Sequence, residues 1–258
     1  MDLHIKNQFF IVCGAGSGLG KAVAERLAGE DARVLAIARK EETLIKLQQT
    51  YPDNIEILPG DLFQPEFIPV LLKILNGRIP DGLLINAGGP PAKSFAETTL
   101  QDWDEAYRTI LRWKADLLNQ LLPGFLAKGY GRILFIESVS VKQPVENLIL
   151  SNSLRMAVVG MAKTLANEIG SKGITLNVLA PGYHDTAAMQ RLFVKKSETL
   201  NISVSEARKQ FEAELMLGAM GNPHDFAMLA AWLLSPHAGY ITGQTFSVDG
   251  GLVKFVFG

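Results

Sequence analysis

The chain predicts an α/β fold: one doubly wound parallel sheet of about seven strands with helices on both faces, residues 1–258 forming a single domain. Three observations carry that expectation. Short apolar runs alternate with longer amphipathic ones along the whole length. The short runs are nearly continuous in apolar residues, as strands covered on both faces require. No Pro/Gly/Ser-rich linker, internal repeat or low-complexity block divides the chain, and a 48% hydrophobic content over 258 residues suffices for one large core.

In order, Phe9–Val12 reads as a strand, followed by a helical pattern over Leu19–Ala28. The run Arg33–Ala38 is the second strand and Glu41–Gln49 the helix after it. Ile55–Leu58 and Pro65–Leu75 repeat the unit, as do Leu83–Ile85 and the long pattern Asp102–Leu121. Ile133–Ile136 leads to a helix over Leu154–Gly170, whose apolar and small residues lie on several sides, as on a helix that is buried or at an interface. Thr175–Leu179 is the sixth strand. Asn222-Pro223 starts the helix Pro223–Leu234, with Asn as N-cap and Pro in the first turn, and Thr245–Val248 closes the sheet. The stretch 184–217 breaks the alternation: it is charged in its middle and reads as helical only from Ser203 to Leu217. A long insertion at the carboxyl edge of such a sheet is expected to be a substrate lid.

A net charge of −1 gives no reason to expect a nucleic-acid or membrane partner. The single cysteine excludes an intramolecular disulfide framework, and the first residues, Met-Asp-Leu-His-Ile-Lys-Asn, lack a signal-peptide pattern. A cytoplasmic protein is expected. His184-Asp185 has no third ligand at a useful spacing, so no metal is expected.

Chemistry is concentrated in a few segments. Gly14, Gly18 and Gly20 lie between the first strand and the first helix, with Ser17 and Leu19 between them. Glycines there allow a tight turn, close approach of backbone to phosphate and close helix–strand packing, and the helix N-terminus offers free N–H groups to a pyrophosphate. The segment reads as the dinucleotide-binding turn of a Rossmann-type fold.

The spacing Gly-x-x-x-Gly-x-Gly resembles that of the short-chain dehydrogenase/reductase family, and the resemblance extends over nearly the whole chain, most closely to the 3-oxoacyl-acyl carrier protein reductase branch. It is carried by Gly60-Asp61-Leu62, Asn86-Ala87-Gly88, Asn177 to Pro181-Gly182 and Thr186, Tyr240 to Gln244, and Val248-Asp249-Gly250-Gly251. The resemblance implies that Asp61 and Leu62 meet the adenine end of a nicotinamide cofactor and that Asn86, Ala87 and Gly88 flank it. It further implies that Pro181, Gly182 and Thr186 embrace the carboxamide, and that the protein forms a homodimer or homotetramer. At the end of the second strand the chain reads Ala38-Arg39-Lys40, without the carboxylate that would repel a 2′-phosphate. Arg39 can pair with that phosphate, so NADP(H) is favoured over NAD(H).

The family runs its reaction with Asn, Ser, Tyr and Lys. Ser138 matches the serine, but Ser151 stands at the tyrosine position, Arg155 at the lysine position, and Ile110 where the asparagine is expected. A serine hydroxyl is a far weaker acid than a phenol, whose reference pKa is about 10. Arg155 keeps the charge that binds the ribose but cannot titrate. Tyr183 and His184, after Pro181-Gly182, are possible substitute acids. Lys142 and Glu137 flank Ser138 and read otherwise as surface charges.

The leading expectation is an NADP(H)-dependent oxidoreductase acting on a small-molecule or acyl carbonyl with a non-standard site, Ser138, Ser151 and Arg155 carrying the chemistry. The alternatives are a non-catalytic NADP(H)-binding protein and an inactive scaffold subunit.

Overall fold

In the computed structural model, which describes residues 2–256, seven strands form one parallel sheet in the order β3-β2-β1-β4-β5-β6-β7. They are β1 (Phe9–Cys13), β2 (Arg33–Ala38), β3 (Ile55–Pro59), β4 (Gly82–Ile85), β5 (Gly131–Ile136), β6 (Ile174–Pro181) and β7 (Thr245–Val248). The continuous apolar runs alternate between two cores. Phe9, Ile11, Leu35, Ile37, Leu83, Ile133 and Phe135 point to one face, and Phe10, Val12, Val34, Ala36, Leu84 and Leu134 to the other. The strands β1, β2, β4, β5 and β6 are thus apolar on both sides because helices cover both sides.

On one face lie α1 (Gly18–Gly29), α2 (Glu41–Thr50) and α9 (Pro223–Leu233), and on the other α3 (Phe67–Leu75), α4 (Leu100–Tyr107), α5 (Trp113–Lys128) and α6 (Ile149–Ile169). The chain runs outward from β1 to β3 and then crosses back to β4. The strand order therefore reverses between β1 and β4, where open α/β sheets bind ligands. Among the described residues no helix is long and apolar enough to cross a membrane.

Three expectations need correcting. The pattern Asp102–Leu121 is two helices joined by a π turn over Arg108–Arg112, and the second runs through Pro123 to Lys128, stopping at the left-handed Gly129. α6 begins at Ile149, before the expected Leu154, which places Ser151 and Arg155 one turn apart on one helix. Its outer face, with Met156, Ala157 and Gly160, is exposed in the single chain. The excursion after β6 holds two helices, α7 (Ala187–Leu200) and α8 (Val204–Glu212), and not one helix running from Ser203 to Leu217.

Candidate active site

β1 delivers the chain into a turn in which Gly14 and Gly18 hold φ of +70° and +56°, a region that side chains resist. A Cβ on Gly14 would lie 2.6 Å from Asn86 Nδ2, and one on Gly20 2.7 Å from the same atom. Asn86, just past β4, thus fills the space either glycine could grow into. Ser17 caps α1 in extended backbone without a side-chain bond, and the first turn carries no acid. The leading N–H groups of α1 are therefore left for an anion.

The other cofactor candidates collect along the same edge. Thr186 sits over Gly18, whose Cβ would be 3.5 Å from Thr186 Cγ2. Arg39 is exposed at the end of β2, and Asp61 is half-buried after β3, where its Oδ1 accepts from the Phe63 N–H at 3.2 Å. Leu62 is buried, Ala87 half-buried and Gly88 exposed after β4. Pro181 ends β6, and Gly182 packs so closely on Asp249 that a Cβ would stand 2.8 Å from its Cα. Segments distant in sequence thus converge on the reversal point of the sheet.

Beside this edge lies a cluster of charges that sequence reasoning only half reveals. Lys114 on α5, Glu137 after β5, and Ser151 and Arg155 on α6 are exposed by only 2%, 4%, 7% and 7%. Lys114 Nζ donates to Glu137 Oε1, and Arg155 Nη1 donates to Glu137 Oε2 at 2.9 Å. Arg155 Nε in turn donates to Ser151 Oγ at 3.0 Å. Glu137 is therefore no surface charge but the anion between two buried cations. Burial pulls the Lys114 pKa down, chiefly by desolvation, with the Glu137 carboxylate opposing. Arg155 Nη2 makes no hydrogen bond among the described residues and lies beside Gly89, 3.1 Å from where a Cβ would be.

Ser138 is half-buried at the end of β5, and its Oγ accepts from the Ser140 N–H at 3.2 Å. Both serine oxygens, 138 and 151, thus already accept a bond, and their own protons remain to be donated. Ile110 is buried in the π turn, one helical turn before Lys114, and Lys142 is half-exposed. Cys13 is buried against the sheet, with its thiol pushed up to about 12 by desolvation, which suits an inert small hydrophobe.

Tyr183 and His184 have structural partners. The Tyr183 hydroxyl donates to Glu214 Oε2 at 2.9 Å, and burial together with that carboxylate raises its pKa. The His184 ring packs edge-on against Phe226 at 5.1 Å, approaches Gly182 O at 3.3 Å through Nδ1, and has its pKa lowered by burial. The excursion closes at its base through Asp185 N–H to Gly221 O and Gly221 N–H to Tyr183 O, both 2.9 Å. Met189, Phe193 and Ala207 give it a small core of its own, with Tyr183 and Phe211 against it.

A glycine turn feeding a helix N-terminus at the reversal point of a parallel sheet defines a dinucleotide-binding α/β protein. The chain matches, over residues 14–253, the family model described as Enoyl-(Acyl carrier protein) reductase. It is 29% identical over 252 residues to the 3-oxoacyl-(acyl-carrier-protein) reductase FabG of Vibrio cholerae, covering 97% of this chain and 99% of that one. It is also 29% identical to the dehydrogenase/reductase SDR family member 4 of Sus scrofa, covering 96% and 88%. Among solved structures it resembles a single-substitution variant of the actinorhodin polyketide ketoreductase with NADPH, with a TM-score of 0.90, 29% identity and 96% and 98% coverage. The protein belongs to the short-chain dehydrogenase/reductase family.

Proposed function

We propose that the protein is an NADP(H)-dependent reductase of a small-molecule or acyl carbonyl, in which Ser151 and Arg155 stand at the family's tyrosine and lysine positions. The observation that carries this reading is the bond from Arg155 Nε to Ser151 Oγ, with Nη2 left over beside Gly89. The pair keeps the geometry of a hydroxyl supported by a cation while changing both groups. NADPH at the glycine turn suits the tight backbone of Gly14 and Gly18, which leads directly into α1, and the free N–H groups of that helix. Several relatives are named as reductases, and one similar structure holds NADPH.

When bound, NADPH supplies a hydride to the carbonyl carbon. Ser138 and Ser151 donate their hydroxyl protons as hydrogen bonds to the carbonyl oxygen, each polarised by the donor that already holds its oxygen. Arg155 keeps its charge throughout and takes a ribose hydroxyl with Nη2. Serine is too weak an acid to neutralise an alkoxide at neutral pH, so the final proton comes from solvent, and slower turnover follows by the roughly 10²–10⁴ that a positioned acid supplies. Tyr183 and His184 take no part; they anchor the 184–217 excursion, which acts as a lid over the substrate.

Two measurements bear on this. Assaying NADPH oxidation against a panel of ketones and acyl thioesters should show slow turnover by the natural protein. Ser151→Tyr with Arg155→Lys should raise it, whereas activity found in that double variant alone would mark the natural protein as a binder that does not catalyse. Arg39→Glu removes a charge-assisted phosphate bond of about 1.5–3 kcal/mol. Calorimetry should then show NADPH weakened about tenfold or more and NADH strengthened, since the carboxylate accepts from a free 2′-hydroxyl.

A further inference from the structure

We infer that Lys114 and Glu137 are positioning residues for Arg155: together they form a buried clamp that keeps Nη2 free for the cofactor and Nε on Ser151. The inference rests on the reading of Arg155 as the ribose ligand. A carboxylate facing a guanidinium ordinarily takes two of its nitrogens at once, in a fork-to-fork pair. Here it takes one. Oε2 holds Nη1, and Oε1 is already occupied by Lys114 Nζ. Lys114 draws Oε1 to its own side, no second arm of Arg155 meets the carboxylate, and the guanidinium keeps two further donors: Nε on Ser151 Oγ and Nη2 beside Gly89.

The placement of the four residues supports a built device. They come from three elements, α5, the end of β5, and α6, and all are buried. Glu137 is fixed at its backbone by its N–H on Leu179 O at 2.9 Å, so the carboxylate is held from the sheet and not from a mobile loop. Burying three ions is costly, and replacing such a group by apolar residues is often neutral or stabilising. Stability alone therefore gives no reason for Lys114. A lysine that serves only to occupy one carboxylate oxygen gains its purpose from what the other partner is then free to do.

The test separates the nicotinamide half of the cofactor from the adenine half. Lys114→Met keeps the stem of the side chain and leaves Glu137 and Arg155 as a neutral pair, which can close into the two-armed form. Glu137→Asp keeps every charge but shortens the reach by one methylene. For both variants and the natural protein, calorimetry would measure NADPH and adenosine 2′,5′-bisphosphate, which lacks the nicotinamide ribose, with thermal melts beside them. The expected result is NADPH weakened about tenfold in Lys114→Met and at least about fivefold in Glu137→Asp, with the bisphosphate unchanged within about twofold. Both variants binding NADPH as the natural protein does would overturn the clamp alone. Equal losses of both ligands, tracking a lowered melting temperature, would also overturn it, since that is what a merely structural group does. A natural protein that binds the bisphosphate as tightly as NADPH would overturn the ribose role of Arg155 and the clamp with it.

Discussion

Replacing Glu137 with Gln is expected to cost about 3–5 kcal/mol of folding stability, because it strands two buried cations against a neutral amide. Lys114 and Arg155 both donate to the Glu137 carboxylate, and all three side chains are nearly closed to water. Against a total stability of roughly 5–15 kcal/mol, that loss is about a fifth or more. A thermal melt should fall by roughly 10 °C for a chain of this size. The triple replacement Lys114→Met, Glu137→Leu, Arg155→Met should recover most of it, since apolar side chains of similar volume commonly match a buried ion cluster in stability. The triple variant would nevertheless lose the cation assigned to the ribose. A Glu137→Gln protein melting within about 2 °C of the natural one would mean that the cluster is solvated and not buried as described.

Gly20→Val is expected to weaken cofactor binding severely. A Cβ at this position meets the Gly14 carbonyl oxygen, a backbone atom that cannot swing aside, and stands 2.7 Å from Asn86 Nδ2. The helix must lift from β1, at a cost of about 1–3 kcal/mol for overpacking. Its N-terminal N–H groups then move off the phosphate position. Losing two hydrogen bonds to a charged acceptor, each worth about 1.5–3 kcal/mol, weakens binding by roughly a hundredfold or more. Calorimetry with NADPH checks this directly. Binding within about threefold of the natural protein would mean that the phosphate lies elsewhere.

The sheet is legible in the sequence because its inner strands are buried on both faces. Runs such as Arg33–Ala38 and Ile133–Ile136 have few polar side chains and admit little else, and every expected strand is present within a residue or two. The glycine turn is legible for a similar reason, since close contacts with Asn86 leave no choice of residue. The α6 start escapes a sequence reading because Leu148-Ile-Leu-Ser-Asn152 carries no capping signal: Leu148 makes no side-chain cap. The Asn152 side chain instead holds the preceding loop, donating to Val145 O at 2.8 Å. Helix α7 is hidden by its charged middle. It buries only Met189, Phe193 and Ser197, because the small core of the excursion needs no wider apolar face.

The buried cluster does leave a trace in the sequence. Lys114 sits four residues after Ile110 and three before Leu117, alone on an apolar helical stripe, and Glu137 ends the apolar run Ile133–Ile136. Two opposite charges, each out of place in its own element, can satisfy one another only in the fold. No periodicity within either segment reports that pairing, so Glu137 reads as a surface charge and Lys114 draws no notice.

The most direct test is a calorimetric titration of cofactor-stripped protein with NADPH, with NADH run beside it. Arg39 at the end of β2 and Arg155 beside Gly89 should give micromolar NADPH and NADH at least about tenfold weaker. A folded protein that binds neither would contradict the assignment, leaving the glycine turn and its helix as inherited architecture and the scaffold role in first place.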